Sequence, residues 1–83
     1  MTNELILYTR DYCYFCVKVE NFLEQENIEL ETRNISHSDD YKSELMTGGG
    51  KTQTPCLFIN GAAMYESDDI IDWLGENYHV RAN

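Results

Sequence analysis

Residues 4–16 read ELILYTRDYCYFC, and their pattern sets the architecture of the chain. The first six of these residues are an apolar run rich in strand formers, which predicts a buried central strand. Downstream, apolar side chains recur at the spacing of an amphipathic helix, with Cys16, Val19, Phe22 and Leu23 on one side. The pair Cys13 and Cys16 therefore lies where a strand ends and a helix begins.

The middle of the chain carries a second strand signal and a second helix signal. Residues 28–35 (IELETRNI) alternate apolar and polar side chains, as a second strand does. Ser38 is followed by two aspartates, which is typical of a helix start: a capping hydroxyl precedes acids at the positive end of the dipole. The three glycines at residues 48–50 predict where this helix ends.

Two further signals complete the order of elements. Asn60-Gly61 predicts a hairpin turn between strands at residues 57–59 and 62–65. A last helix is expected to open at the cap Ser67-Asp68-Asp69 and to carry Ile70, Ile71, Trp73, Leu74 and Tyr78. The order β-α-β-α-β-β-α, with a right-handed crossover between the first two strands, predicts a four-stranded mixed β-sheet flanked by three helices. We expect one α/β domain over residues 1–83 with this thioredoxin fold.

The charge and composition of the chain narrow its possible partners. Fifteen acidic and six basic residues give a formal net charge of −9 over 83 residues. This charge disfavours nucleic acid and anionic membrane surfaces, because both would be repelled. No apolar run approaches the ~18 residues of a membrane-spanning helix, and no signal-peptide pattern is visible. We therefore expect a cytoplasmic protein, and we also expect it to be a monomer.

The cysteines carry the chemistry. Three cysteines disfavour a disulfide framework, and one Cys-x-x-Cys pair without a secretory signal indicates redox or metal chemistry. A closed zinc site would need four convergent ligands, which the sequence does not suggest. The first helical turn offers unpaired N–H groups that stabilise the Cys13 thiolate, and Arg10 adds a nearby positive charge. We expect Cys13 to be the nucleophile and the shielded Cys16 its resolving partner, with Cys56 a core residue.

Two other motifs fit a peptide ligand as well as a purely structural role. Thr54-Pro55 holds the only proline of the chain and stands just before a strand. A cis bond there would turn the Thr54 backbone toward an extended peptide such as glutathione, whereas a trans proline would simply open the strand. Free N–H groups around Ser67 suit a carboxylate and Asp68 suits an amine, although a plain helix cap explains both residues equally well.

Taken together, these motifs resemble a glutaredoxin over essentially the whole chain. They are Tyr8-Thr9-Arg10, the Cys13/Cys16 pair, Thr54-Pro55 and Ser67-Asp68-Asp69, in this order. The resemblance implies a cis proline, no tightly bound cofactor, and glutathione-dependent reduction of glutathione mixed disulfides and protein disulfides. Disulfide-containing or glutathionylated proteins would be its partners. It also implies a set of glutathione contacts, namely Arg10, Phe15, Lys51, Thr54, Pro55, Ser67 and Asp68.

Some positions depart from the family pattern and keep alternatives open. Tyr14 and Phe15 stand where the family typically has proline and tyrosine, and Glu66-Ser67 resembles the Glu-Ser signature of the glutathione transferases' N-terminal domain. Loss of the proline can permit a [2Fe–2S] cluster carrier, with Cys13 and glutathione as ligands. The third hypothesis for the function is a thioredoxin-like reductant that does not use glutathione.

Overall fold

Four strands and three helices follow one another in the predicted order. The structure, a computed structural model, describes residues 4–77. The elements are β1 (Leu5–Thr9), α1 (Tyr14–Gln25), β2 (Glu31–Asn34), α2 (Asp39–Gly49), β3 (Cys56–Ile59), β4 (Ala62–Met64) and α3 (Ser67–Asn77). Over the described range, no helix has both the length and the apolar character needed to cross a membrane.

The strands form one mixed sheet in the order β2-β1-β3-β4. Strand β1 is parallel to β2 and antiparallel to β3, and β3 is antiparallel to β4. The predicted thioredoxin fold is thereby confirmed. Tyr8 near the end of β1 pairs with Cys56 at the start of β3. The loop that carries Cys13 and the residues before β3 therefore lie at the same end of the sheet.

The core is split by the sheet into two clusters. Because side chains alternate along a strand, neighbours Leu7 and Tyr8 of β1 point to opposite faces. One cluster lies under α1 and α3 and contains Leu7, Val19, Leu23, Ile28, Leu57, Ile70 and Leu74. The other lies under α2 and contains Tyr8, Ile35, Leu45 and Cys56. Cys56 is fully buried, as predicted for a core residue.

The turns follow the sequence signals closely. Asn60 and Gly61 both have positive φ, at 52° and 90°, as the two central residues of the predicted hairpin require. Helix α2 begins after Ser38, whose side chain accepts a hydrogen bond from the Tyr41 N–H. It ends at Gly49, and the capping residue Gly50 has a φ of 88°, the left-handed conformation that favours glycine.

Two of the boundaries that differ from those predicted have a clear physical cause. Strand β2 is only four residues long, although Ile28 and Ile35 at the ends of the predicted segment are buried. The alternating pattern thus reports burial that extends beyond the hydrogen-bonded ladder. Helix α3 includes Ser67, and the Glu66 carbonyl accepts from the Ile70 N–H at 2.9 Å. Glu66 therefore takes the capping position expected of Ser67. The predicted helix residue Tyr78 lies outside the described residues.

Candidate active site

Cys13 is the residue that caps the N-terminus of α1. Its backbone is extended, and its Sγ accepts a hydrogen bond from the Cys16 N–H at 3.2 Å. This N–H is one of the first-turn donors that a helix leaves unpaired, so the thiolate of Cys13 satisfies it as a capping oxygen would. Tyr12, just before, has a φ of 57°. This left-handed residue lies in the turn between β1 and α1 and leads the chain into the helix.

Thr54 faces Cys13 from the other side of the cleft. The Cys13 Sγ lies 3.8 Å from the Thr54 carbonyl oxygen and 3.6 Å from its Oγ1. The Thr54-Pro55 peptide bond is cis, as the family resemblance implies. Both residues are buried beside the thiol. The antiparallel pairing of β1 with β3 thus brings together two motifs that are about forty residues apart in sequence.

The two thiols differ in acidity. Burial alone would raise the pKa of Cys13, but hydrogen bonds from Cys16 and Thr54 and the charge of Arg10 outweigh it, so the pKa of Cys13 is lowered. Cys16 is only 1% exposed, and burial, together with its hydrogen bond to Cys13, raises its pKa to about 11. The thiolate is the reactive form of cysteine. Within the pair, Cys13 is therefore the more acidic thiol, and Cys16 stays protonated at neutral pH.

This difference predicts how the thiols react with iodoacetamide. We expect alkylation of Cys13 to accelerate as pH rises and to level off at a lower pH than for free cysteine, because its pKa is lowered. Roughly one Cys16 in a thousand is ionised at pH 8 with a pKa of about 11, so Cys16 stays unmodified over the same range. Mass spectrometry of quenched time points measures both rates.

Arg10 provides the test of the electrostatic contribution. Removing its charge with Arg10→Gln is expected to move the alkylation midpoint of Cys13 to higher pH, because that charge helps to stabilise the thiolate. The matched control is Lys42→Gln, which removes an equal charge from an exposed position of α2. Equal midpoints for Arg10→Gln and the native protein would contradict the assigned role.

The loop before Cys13 is tied to the loop after β2. Asp11 accepts a hydrogen bond from Asn34 at 3.0 Å and contacts the His37 ring at 3.1 Å, and these contacts lower the pKa of Asp11. The Asp11 N–H donates to Ser36 Oγ at 3.0 Å. These contacts hold the residues between Arg10 and Cys13 in place.

A shallow cavity of about 130 Å³ opens next to the cysteine pair. Four residues predicted to contact glutathione line it, namely Phe15, Thr54, Pro55 and Ser67. Gln53, Tyr65 and Glu66 also line it, and the sequence interpretation did not assign them to the site. Two of them were within reach of sequence reasoning, because Tyr65-Glu66 immediately precedes the Ser67-Asp68 motif.

The other predicted ligand contacts lie around this cavity rather than in its wall. Arg10 is exposed and acts on Cys13 through its charge. The Lys51 ammonium lies over the Tyr65 ring, 4.5 Å from its centroid, and the Tyr65 hydroxyl donates to the Lys51 carbonyl at 2.9 Å. Asp68 forms an ion pair with Lys18 of α1, a residue that the sequence did not single out.

Potential metal ligands are dispersed over the described part of the chain. Across residues 4–77, no three His, Cys, Asp or Glu side chains come together as a metal site. Cys16 and Cys56 are both buried, and burial raises the pKa of each to about 11. Cys13 is thus the thiol best suited to ligate a cluster, and the remaining ligands would come from other molecules. The [2Fe–2S] alternative stays a prediction.

The fold and this cleft together define a thiol oxidoreductase of the thioredoxin class: a Cys-x-x-Cys pair at a helix N-terminus, facing a cis proline. The sequence model of the family described as Glutaredoxin matches residues 5–64, which is more than half of the chain. The chain therefore belongs to the glutaredoxin family. Membership assigns it in general terms to the glutathione-linked thiol oxidoreductases.

Curated relatives of this family share about a third of their residues or less with the chain. Glutaredoxin 1 of Rickettsia prowazekii (strain Madrid E) is 28% identical over 71 residues, covering 82% of this chain and 74% of that protein. Glutaredoxin-C6 of Oryza sativa subsp. japonica is 32% identical over 72 residues, covering 81% of this chain and 62% of that protein. Both similarities agree with the family assignment.

Solved structures show the same fold at lower identity. The buckwheat glutaredoxin–glutathione complex has a TM-score of 0.68 at 21% identity, covering 89% of this chain and 70% of that one. Glutathione transferase Omega 3C from Trametes versicolor has a TM-score of 0.76 at 21% identity, covering 98% of this chain but 37% of the transferase. The chain therefore corresponds in fold to only part of that transferase.

Proposed function

We propose that the chain is a glutathione-dependent thiol–disulfide oxidoreductase that reduces glutathione mixed disulfides and protein disulfides through Cys13 and Cys16. The observation that carries the proposal is the unequal acidity of the two thiols. Cys13 has a lowered pKa at the start of α1, and one turn further in Cys16 stays protonated. A reactive thiolate in front of a protonated thiol is the arrangement that disulfide exchange requires.

Reduction of a glutathione mixed disulfide needs only Cys13. Its thiolate attacks the glutathione sulfur, a new Cys13–glutathione disulfide forms, and the bond to the substrate protein breaks. The substrate leaves as a thiolate and takes a proton from water. A second glutathione thiolate then attacks the glutathione sulfur of the adduct, which yields glutathione disulfide and restores the Cys13 thiolate.

Reduction of a protein disulfide uses both cysteines. Cys13 first forms a mixed disulfide with one substrate sulfur, and the other substrate sulfur leaves. Cys16 then gives its proton to the substrate thiolate released first and attacks the Cys13 sulfur, so that the second substrate sulfur leaves as a thiolate and a Cys13–Cys16 disulfide remains. Two glutathione molecules reduce this bridge and become glutathione disulfide.

The cleft offers groups for each part of glutathione. The Thr54 backbone beside Cys13 suits the cysteinyl unit of the tripeptide, because an extended peptide can pair with backbone N–H and C=O groups. Arg10 and Lys51 suit the glycyl carboxylate, and Ser67 and Asp68 at the start of α3 suit the γ-glutamyl end. A glutaredoxin of the same fold, from buckwheat, is solved as a complex with glutathione, which supports glutathione as the ligand.

Cys16→Ser separates the two proposed reactions. We expect this variant to keep reduction of a glutathione mixed disulfide within about threefold of native, since that cycle needs only Cys13, and to lose at least about tenfold on a protein disulfide. The measurement is glutathione-coupled NADPH oxidation with glutathione reductase, using each substrate in turn. Equal losses on the two substrates would contradict the division of roles.

A titration with glutathione tests the ligand assignment directly. Amide NMR shifts are expected to change at Thr54, Ser67 and Asp68 when S-methylglutathione, which has no free thiol, is added. An unchanged spectrum in a protein that still reduces disulfides would favour the thioredoxin-like reductant that does not use glutathione.

A further inference from the structure

The ion pair between Lys18 and Asp68 joins α1 to the first turn of α3. The Lys18 ammonium contacts Oδ1 of Asp68, and the two side chains are 40% and 77% exposed. Contact with Asp68 raises the pKa of Lys18, so this amine is charged at neutral pH. An ion pair this exposed contributes little to stability, because water and salt screen it. The fold alone therefore gives little reason for this arrangement.

The surrounding charges give a reason for a cation at this place. Glu66, Asp68 and Asp69 put three acids within four residues, on either side of Ser67. A ligand carboxylate bound at Ser67 would meet these acids, and the helix N-terminus offers only about half a positive charge against them. Lys18 brings a full positive charge to this segment.

Lys18 and Asp68 can each still bind a ligand while they contact one another. A lysine ammonium has three donors, and the contact with Asp68 engages Oδ1. A carboxylate accepts on two oxygens, so Asp68 can accept from a second ammonium. Side by side, the two groups present a positive and a negative charge. The α-carboxylate and α-amine of an amino acid carry the complementary charges, so the carboxylate can face Lys18 while the amine faces Asp68.

We propose that Lys18 is a specificity-determining residue that binds the α-carboxylate of the γ-glutamyl end of glutathione, while Asp68 binds the α-amine. The inference rests on the proposed use of glutathione and extends it to a preference among thiols. A low-molecular-weight thiol with a free α-amino acid end satisfies both members of the pair. Thiols that lack this end leave one or both charges of the pair without a partner.

The test compares Lys18→Gln with the native protein in the glutathione-coupled assay. We expect the KM for glutathione to rise about threefold to tenfold with kcat unchanged, because a charge-assisted contact with the ligand is lost. Lys18→Arg is expected to stay within about twofold of native, since it keeps the charge. The control is Lys42→Gln, which makes the same change of net charge on exposed α2 and leaves KM unaltered.

A glutathione analogue identifies the group that Lys18 binds. In 4-aminobutyryl-cysteinylglycine the γ-glutamyl α-carboxylate is replaced by hydrogen while the amine remains. Native protein and Lys18→Gln are expected to use this analogue with equal KM. The proposal would be overturned if Lys18→Gln raised the KM for the analogue by the same factor as the KM for glutathione, or if it lowered the KM for glutathione. The second result would mean that Lys18 competes with the ligand amine for Asp68.

The same experiments distinguish a failure of the proposed function from a failure of the role given to Lys18. If the native protein does not turn over with glutathione, the glutathione assignment and this inference both fall. If it turns over and Lys18→Gln has a native KM for glutathione, only the role of Lys18 is overturned. Thermal unfolding of Lys18→Gln at the native temperature establishes that the fold is intact.

Discussion

Replacing Cys13 by serine is expected to abolish turnover, with a loss of at least about a thousandfold on both a glutathione mixed disulfide and a protein disulfide. Both proposed cycles begin with attack by the Cys13 thiolate, and a serine hydroxyl stays protonated at neutral pH. No other described thiol can take over this step. Cys16 and Cys56 are buried, and burial raises the pKa of each to about 11.

The glutathione-coupled assay measures this loss, and Cys56→Ala is its matched control. That variant also removes one thiol, from a fully buried core position, and is expected to keep activity per folded molecule. Folding of Cys13→Ser is checked by circular dichroism. Activity above about a tenth of native in folded Cys13→Ser would assign the nucleophile to another cysteine.

Much of the fold was predictable because its signals are local. The apolar run before Cys13, the Ser38 cap and the Asn60-Gly61 turn each act within a few residues, and the structure confirms all three. The length of β2 was not predictable in this way. Burial alone produces an alternating pattern, and the pattern does not show where ladder pairing with β1 ends.

The candidate site was predictable to the extent that it is built on single motifs. Cys13 and Cys16 are three residues apart at a helix start, so their unequal burial follows from local geometry. The ion pair of Lys18 with Asp68 depends on how α1 packs against α3, fifty residues later in the chain. The spacing of residues in the sequence does not predict a contact between side chains of two helices that lie so far apart along the chain.

The net negative charge of the chain does not by itself describe the electrostatics of the cleft. A net charge of −9 would repel glutathione, which is itself an anion, but exposed charges beyond ~8 Å are screened at physiological salt. Three basic side chains lie close to the cleft: Arg10 near Cys13, Lys51 on Tyr65, and Lys18 of α1 against Asp68. Nearby cations of this kind therefore determine how strongly an anionic ligand binds.

Leu7→Ala is expected to lower the free energy of unfolding by about 2–5 kcal/mol. Leu7 is fully buried in the central strand, where it pairs with Thr32 of β2 and Leu57 of β3. A chain of 83 residues has a total stability of about 4–12 kcal/mol at 0.05–0.15 kcal/mol per residue. The cavity left by this substitution would therefore remove a large part of the total, which urea denaturation followed by circular dichroism measures.

Val17→Ala serves as the control for the same experiment, because Val17 is 49% exposed and its truncation should change stability by no more than about 0.5 kcal/mol. The alkylation profile of folded Leu7→Ala is expected to match native. The acidity of Cys13 depends on Cys16, Thr54 and Arg10, none of which Leu7→Ala removes. A displaced profile would show that the core sets the geometry of the cleft, and the local account of Cys13 acidity would then be wrong.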